Sequence, residues 1–417
     1  MTRSKQIIYP IRYINSPFRS NDSAEEDFAS NLSAFLGGRT SVQAIGRARA
    51  GLYLLAKLAV RDRKRRIIMS PYTIPDVVNM IKFAGAEPVF VDCLRDSTNL
   101  NLDQLVDLID ETVCSVVVTH YHLNQNMNAI RAICASKNVM LVDDCALALG
   151  ATEPGGCIGS TADASVFSFS GFKPLNFFWG GAITTRSADV DRRVSEEVAQ
   201  WPRLERMHYR DQVLKVLKYD LATRDSIFST LTFPLLRRAA LKGDDNEILP
   251  LVRIESTEID KTILSRPSRD AFAEWNRKLG SVSDFVRHRR TIAAIYDRRL
   301  GSFLVGKETS PEIRAGSCWV NYPIKVEPER RTEIYKDVLA QGMDIGLSLY
   351  PNVHEMPGFT NIAGRSENVA NLVRSMIYLP THPRMSEEYA IQLADVVASA
   401  MRTGNAGRVI RSPVTTR

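Results

Sequence analysis

Between Ser115 and Asp144 the chain reads SVVVTHYHLNQNMNAIRAICASKNVMLVDD. Two β-branched runs, Ser115–Thr119 and Val139–Asp143, flank a stretch, Ile130–Lys137, whose apolar residues recur close to the 3.6 period of a helix. Strand, crossover helix and strand form the repeating unit of parallel sheets.

The same alternation extends from Leu52 to about Thr185. Further strands are expected at Ile67–Ser70, Pro88–Asp92, Ala164–Phe169 and Ala182–Thr185, with crossover helices at Ile74–Ala84 and Leu102–Ile109. This is an α/β protein with a mostly parallel sheet. After Asp189 the character changes to long, charged, helix-prone stretches, Val194–Ala222 and Ser268–Leu300, with a polar break at Lys242-Gly-Asp-Asp-Asn. A helical region closing a large domain is expected there, with an insertion over about 190–262. A strand pattern at Trp319–Val326 and helix patterns at Arg330–Gln341 and Ser386–Met401 describe a small C-terminal α/β domain. The domain reading is therefore an N-terminal arm (1–24), a large domain (25–300), a small domain (301–402) and a disordered tail (403–417).

At 417 residues and 44% apolar content the chain can bury a large core. No apolar run approaches the roughly 20 residues needed to cross a bilayer. The N-terminus lacks the apolar core of a secretory signal, so a cytoplasmic location is expected. The six cysteines are scattered with no C-x-x-C pair, which suits a reducing compartment. The net charge of +7 is spread along the chain, and its densest run, Arg61–Arg66, reads as a solvated connection. Neither nucleic acid nor membrane is expected as a partner. Positive charge also suits a phosphorylated or nucleotide-linked substrate.

Three segments carry potential chemistry. In Leu141-Val-Asp-Asp-Cys-Ala-Leu-Ala-Leu-Gly, Asp144 closes an apolar strand, where ligands of open α/β sheets bind. It can pair with a protonated ring nitrogen, or simply cap a turn. In Val166-Phe-Ser-Phe-Ser-Gly-Phe-Lys-Pro, Lys173 sits between Phe172 and Pro174, a setting that favours a neutral, nucleophilic amine. A surface lysine after a strand is the plainer reading. Ser168 can offer a hydroxyl to a phosphate, and Gly180-Gly181 allows close backbone approach. Gly46-Arg-Ala-Arg-Ala-Gly is a turn into a helix whose N-terminus, with Arg47 or Arg49, can bind phosphate or be an ordinary helix start. His120 and His122 share a strand face, but no carboxylate or cysteine cluster is apparent beside them, so no metal is expected. No G-x-G-x-x-G is present, which argues against a dinucleotide fold. His354, after Tyr350-Pro351, can face a substrate, whereas Trp201, Trp275 and Trp319 read as packing.

In order, these pieces run from the Gly46 turn through Ser70-Pro-Tyr-Thr, Gly85-Ala-Glu-Pro-Val-Phe-Val-Asp, Thr119-His120 and Asp143-Asp144 to Ser168, Lys173 and Gly180-Gly181. The set, continued by Arg266-Pro-Ser and Leu379-Pro-Thr-His-Pro-Arg, resembles the DegT/DnrJ/EryC1/StrS family of pyridoxal 5'-phosphate (PLP) aminotransferases from about Glu25 to Val397. The resemblance implies the type-I fold, a mostly parallel seven-stranded sheet with a smaller C-terminal domain. It implies that Lys173 carries PLP as a Schiff base, with Asp144 on the pyridine nitrogen. Ser168 and the Arg49-Ala50 turn would hold the phosphate, Tyr72 and His120 would line the ring or substrate side, and Arg266, Tyr350 and His354 would face the substrate. A homodimer with interface active sites, an amino-acid donor and a keto-sugar acceptor are also implied. Four positions depart from the family pattern: Leu147 replaces an amide, Trp179 an acid, Leu264 an asparagine and Ile74 an aromatic residue. They admit aminotransfer to a less polar keto substrate, another PLP reaction such as dehydration, decarboxylation or oxidation, or a non-catalytic binding role.

Overall fold

The computed structural model describes residues 23–403 apart from 172, 178, 243–258 and 348–349. The arm before residue 23, the tail after 403 and most of the polar break after Lys242 lie outside the described residues.

The large sheet has the order β1-β9-β8-β5-β4-β2-β3. Its strands are β1 (Ser41–Ile45), β2 (Arg66–Met69), β3 (Glu87–Phe90), β4 (Val113–Thr119), β5 (Met140–Asp144), β8 (Ala164–Ser168) and β9 (Gly181–Thr185). Between β5 and β8 lies a short hairpin, β6 (Thr152–Glu153) with β7 (Gly156–Cys157). Strands β2, β3, β4, β5 and β8 pair in parallel, and β9 runs antiparallel to both of its neighbours. Of the large sheet's strands, the one absent from the sequence reading is β1. It is a short edge strand whose only fully buried residue is Ile45, so it lacks the dense apolar run that marked the others. In contrast, β4 is buried over six consecutive residues, as a parallel strand covered on both faces must be.

Side-chain caps set several crossovers. Asn101 accepts from the Gln104 amide at 3.1 Å to start Leu102–Leu108, and Pro75 opens Pro75–Phe83. The helix-prone stretch Val194–Ala222 is two helices, Ala188–Gln200 and Arg206–Ala222. Pro202 explains the break, because it forces Trp201 into extended backbone and supplies no amide. The C-terminal sheet has the order β10-β12-β11, from Asn321–Lys325, Met376–Pro380 and Gly346–Leu347, with a core of its own. Trp201, Trp275 and Trp319 are all buried. Trp275 sits in an aromatic cluster with Phe28, Phe169 and Phe272 directly behind the lysine-bearing turn.

Candidate active site

The parallel strands place their C-terminal ends side by side, and Thr119 lies directly opposite Asp144 in the β4–β5 register. Asp144 is buried. One carboxylate oxygen accepts from the Ala146 amide at 3.1 Å and the other from the Thr119 hydroxyl at 3.2 Å. Burial raises its pKa, and these hydrogen bonds together with the charge of Lys173 oppose the rise. Lys173 is half-buried at the turn after β8, with its amide bonded to the Ser170 carbonyl. Burial lowers its pKa from 10.5 to about 8, against the attraction of Asp144. The site therefore pairs a lysine inclined to be neutral with a carboxylate that tempers that inclination.

Asp143, one residue earlier, points elsewhere. It meets His120 Nε2 at 2.7 Å and accepts from the Gly159 amide at 3.1 Å, while His120 Nδ1 accepts from the Gln125 amide at 3.1 Å. Thus both ring nitrogens of His120 are held within a buried network. Contrary to the sequence reading, a carboxylate and a thiol do stand near this imidazole: His120, Asp143 and Cys145 offer ligand atoms within 4.8 Å of one another. Their hydrogen bonds occupy the imidazole and carboxylate, and burial with neighbouring Asp143 and Asp144 pushes the Cys145 thiol well above its usual range. The three groups are brought together by buried hydrogen bonds of the imidazole and the carboxylate.

Tyr72 is buried against Tyr121, with ring centroids 4.6 Å apart, and against Tyr350 at 5.6 Å. Its hydroxyl bonds to that of Tyr378, which also meets His122 Nε2 at 3.0 Å. Burial lowers the His122 pKa to about 3, so this imidazole is neutral. Burial raises the phenols of Tyr121 and Tyr350, helped at Tyr121 by the charge of Asp144 and at Tyr350 by Tyr72 and then Asp144. Tyr121 and Tyr378 were not singled out from sequence. Tyr121 lies within the Thr119–His122 segment, but Tyr378 arrives from a distant strand.

At the other end, Gly180 donates to the Gly46 carbonyl at 3.0 Å and its carbonyl accepts from Phe169. A methyl at Gly180, whose φ is +120°, would overlap the Trp275 ring, and one at Gly181 would lie 2.6 Å from the Phe167 carbonyl oxygen. The paired glycines thus let the Gly46 turn and the end of β8 converge. Arg47 caps the helix Ala48–Ala59, whose first turn carries no acid. Its guanidinium carbon lies 3.4 Å from the Trp179 ring centroid, and the edge of His208 approaches the same indole at 4.6 Å. Burial and nearby Arg49 lower the Arg47 pKa to about 9. Ser168 Oγ lies 3.3 Å from Ser170 Oγ near this turn, and Ala50 is buried in the first helical turn.

The remaining candidates are engaged elsewhere. Arg49 forms an ion pair with Asp76. Arg266 donates to the Trp201 carbonyl at 3.1 Å. His354 bonds Ser366 at 3.1 Å and packs against Phe90. Of the departing positions, Leu147 is buried in the core, Leu264 and Ile74 pack partly buried against the opposite core, and Trp179 forms the stack under Arg47.

The chain is similar to GDP-perosamine synthase of Escherichia coli O157:H7 (22% identity over 79% of this chain and 78% of that one). It is similar to dTDP-3-amino-3,4,6-trideoxy-alpha-D-glucose transaminase of Micromonospora megalomicea subsp. nigra (26% identity, 82% and 79%). Among solved structures it resembles Helicobacter pylori PseC, an aminotransferase involved in the biosynthesis of pseudoaminic acid, with a TM-score of 0.74, 17% identity and coverage of 96% and 100%. Residues 11–204 and 273–398 match the DegT/DnrJ/EryC1/StrS aminotransferase family, and the chain belongs to that family.

Proposed function

We propose that this PLP-dependent enzyme moves an amino group from an amino-acid donor to a keto sugar or a related keto substrate, with Lys173 and Asp144 as its catalytic pair. The observation that carries this reading is the opposition of these two groups: burial lowers the lysine pKa to about 8 while Asp144 acts on it electrostatically.

The residues fit the cofactor. A buried carboxylate at a strand end suits a protonated pyridine nitrogen, a depressed lysine suits the aldehyde, and a basic helix N-terminus beside Ser168 suits a phosphate. When bound, PLP supplies an electron sink that makes the C–H bond next to the substrate nitrogen acidic. Asp144 keeps a proton on the pyridine nitrogen, and Thr119 and the Ala146 amide fix the carboxylate for that task. Lys173 Nζ would hold the cofactor through its aldehyde and, once free, would serve as the base that carries the proton to and from the substrate carbon. The Tyr72, Tyr121 and Tyr350 wall excludes water on the Asp144 side. Arg47, seated over the Trp179 ring, would add charge at the phosphate end.

The enzyme is read as a cytoplasmic homodimer with active sites at the subunit interface, on the strength of its family. Among the described residues, no helix is long and apolar enough to cross a membrane. Spectroscopic titration tests the reading. L-Glutamate or L-glutamine should convert the bound cofactor to its amino form, and a nucleotide-linked keto sugar should reverse the change. Failure of every common amino donor to discharge the cofactor would overturn aminotransfer and favour another PLP reaction.

A further inference from the structure

Among the described residues ten large apolar side chains are exposed, and eight of them fall between residues 206 and 242. The helix Arg206–Ala222 turns Tyr209, Val213 and Val216 into the protein, yet its opposite side presents Met207, Leu214, Leu217 and Leu221, exposed by 63, 50, 52 and 51%. These four recur at intervals of seven, three and four, one continuous stripe on a helix. The following segment repeats the arrangement. Phe228, Phe233 and Ala240 are buried against the small sheet's core, while Leu231, Leu235, Leu236 and Leu241 face outward. The Thr232 hydroxyl bonds the Ala222 carbonyl at 2.8 Å and ties the end of the first helix to the second. Each helix is therefore apolar on its packed face and again on a free one. A surface helix of a soluble protein has no physical need of the second face.

Charge identifies what can cover it. Residues 206–242 hold eight Lys and Arg against three Asp, which is five of the chain's net seven positive charges. Lys215 and Lys218 flank one edge of the first stripe, with Arg206 and Arg210 toward the other. Of the three acids, Asp225 is paired with Arg384 at 2.7 Å, and among the bases Arg206 is paired with Asp270 at 3.4 Å. A second copy applied about a twofold axis would bring this basic surface against itself. An anionic bilayer surface instead offers hydrocarbon for the leucines and negative headgroups for their flanks.

We propose that the face formed by Arg206–Ala222 and Phe233–Lys242 docks the enzyme on an anionic phospholipid surface, with the leucines at the acyl boundary and the lysines and arginines among the headgroups. Docking is peripheral and reversible. This departs from the expectation from sequence that no membrane is a partner, which rested on the lack of a spanning segment and on charge spread along the chain. The inference goes beyond the chemistry at Lys173 and stands apart from it.

The test is sedimentation of the full-length, PLP-loaded protein with vesicles of phosphatidylcholine containing about one third phosphatidylglycerol, and with phosphatidylcholine alone. Binding to the anionic vesicles, weakened by salt and absent from neutral ones, is expected. The triple variant Leu214→Ser, Leu217→Ser, Leu221→Ser should lose about tenfold or more in vesicle affinity while keeping its oligomeric state and its response to L-glutamate. A second variant, Arg210→Gln, Lys215→Gln, Lys218→Gln, spares the apolar residues and should lose affinity to a similar extent, so the test survives if the first variant misfolds. No binding of the wild-type protein, or equal binding by a folded variant of either kind, would overturn the proposal. Light scattering that shows the leucine variant falling from dimer to monomer would overturn it in favour of a subunit interface.

Discussion

Capture of PLP by the apoenzyme should follow the ionisation of a perturbed lysine. With a pKa of about 8, Lys173 is neutral in about 9% of molecules at pH 7, whereas at the ordinary value of 10.5 the fraction is about 0.03%. The local environment therefore raises the population of the attacking amine about 300-fold at neutral pH. Replacing Asp144 by Asn removes the group that holds this pKa up, so the inflection should move to still lower pH. The same substitution deprives the pyridine nitrogen of its partner, so turnover should drop by about a hundredfold or more although capture stays fast. Stopped-flow recording of the bound-cofactor band, from about pH 6 to pH 10, measures the first quantity, and single-turnover kinetics with L-glutamate the second. A wild-type inflection near 10.5, or an upward shift in Asp144→Asn, would refute the electrostatic reasoning.

Other consequences follow from the same geometry. Since the folded pKa of Lys173 lies below its unfolded value, the folded apoprotein binds fewer protons between about pH 8 and 10.5, and its stability should rise with pH across that window. Accordingly, Lys173→Met should stabilise the apoprotein near pH 7 by roughly 1–3 kcal/mol in denaturant titration, an upper bound because the side chain is only half-buried. Gly180→Ala should destabilise the fold by about 2 kcal/mol or more, through its left-handed backbone and the Trp275 ring, as read by thermal unfolding. Arg47→Gln should weaken retention of PLP by about tenfold in equilibrium dialysis, with a change in Trp179 fluorescence on adding inorganic phosphate to the wild type that the variant lacks.

Much of the fold was legible because its parallel strands are buried on both faces and read as dense β-branched runs, as in Ser115–Thr119. The edge strand Ser41–Ile45 carried no such run, since pairing on one side relaxes the demand for apolar residues. The break at Pro202 was available in principle, yet the helix propensity on both sides masked it. At the site, Asp144 and Lys173 could be singled out because strand ends and glycine turns place ligand groups predictably. How the two arginines are engaged could not be read from sequence: Asp76 pairs with Arg49 from a helix one crossover away, and the Trp179 ring lies under Arg47. The metal-like grouping of His120, Asp143 and Cys145 was hidden for a similar reason. His120 and Asp143 lie 23 residues apart and meet only through the parallel β4–β5 pairing.

Borohydride reduction of the PLP-loaded protein, followed by peptide mass spectrometry, tests the central claim most directly. The account predicts one stable pyridoxyl adduct, on the peptide that contains Lys173, and none in Lys173→Ala. An adduct on any other lysine, or a wild-type protein that forms none, would contradict it.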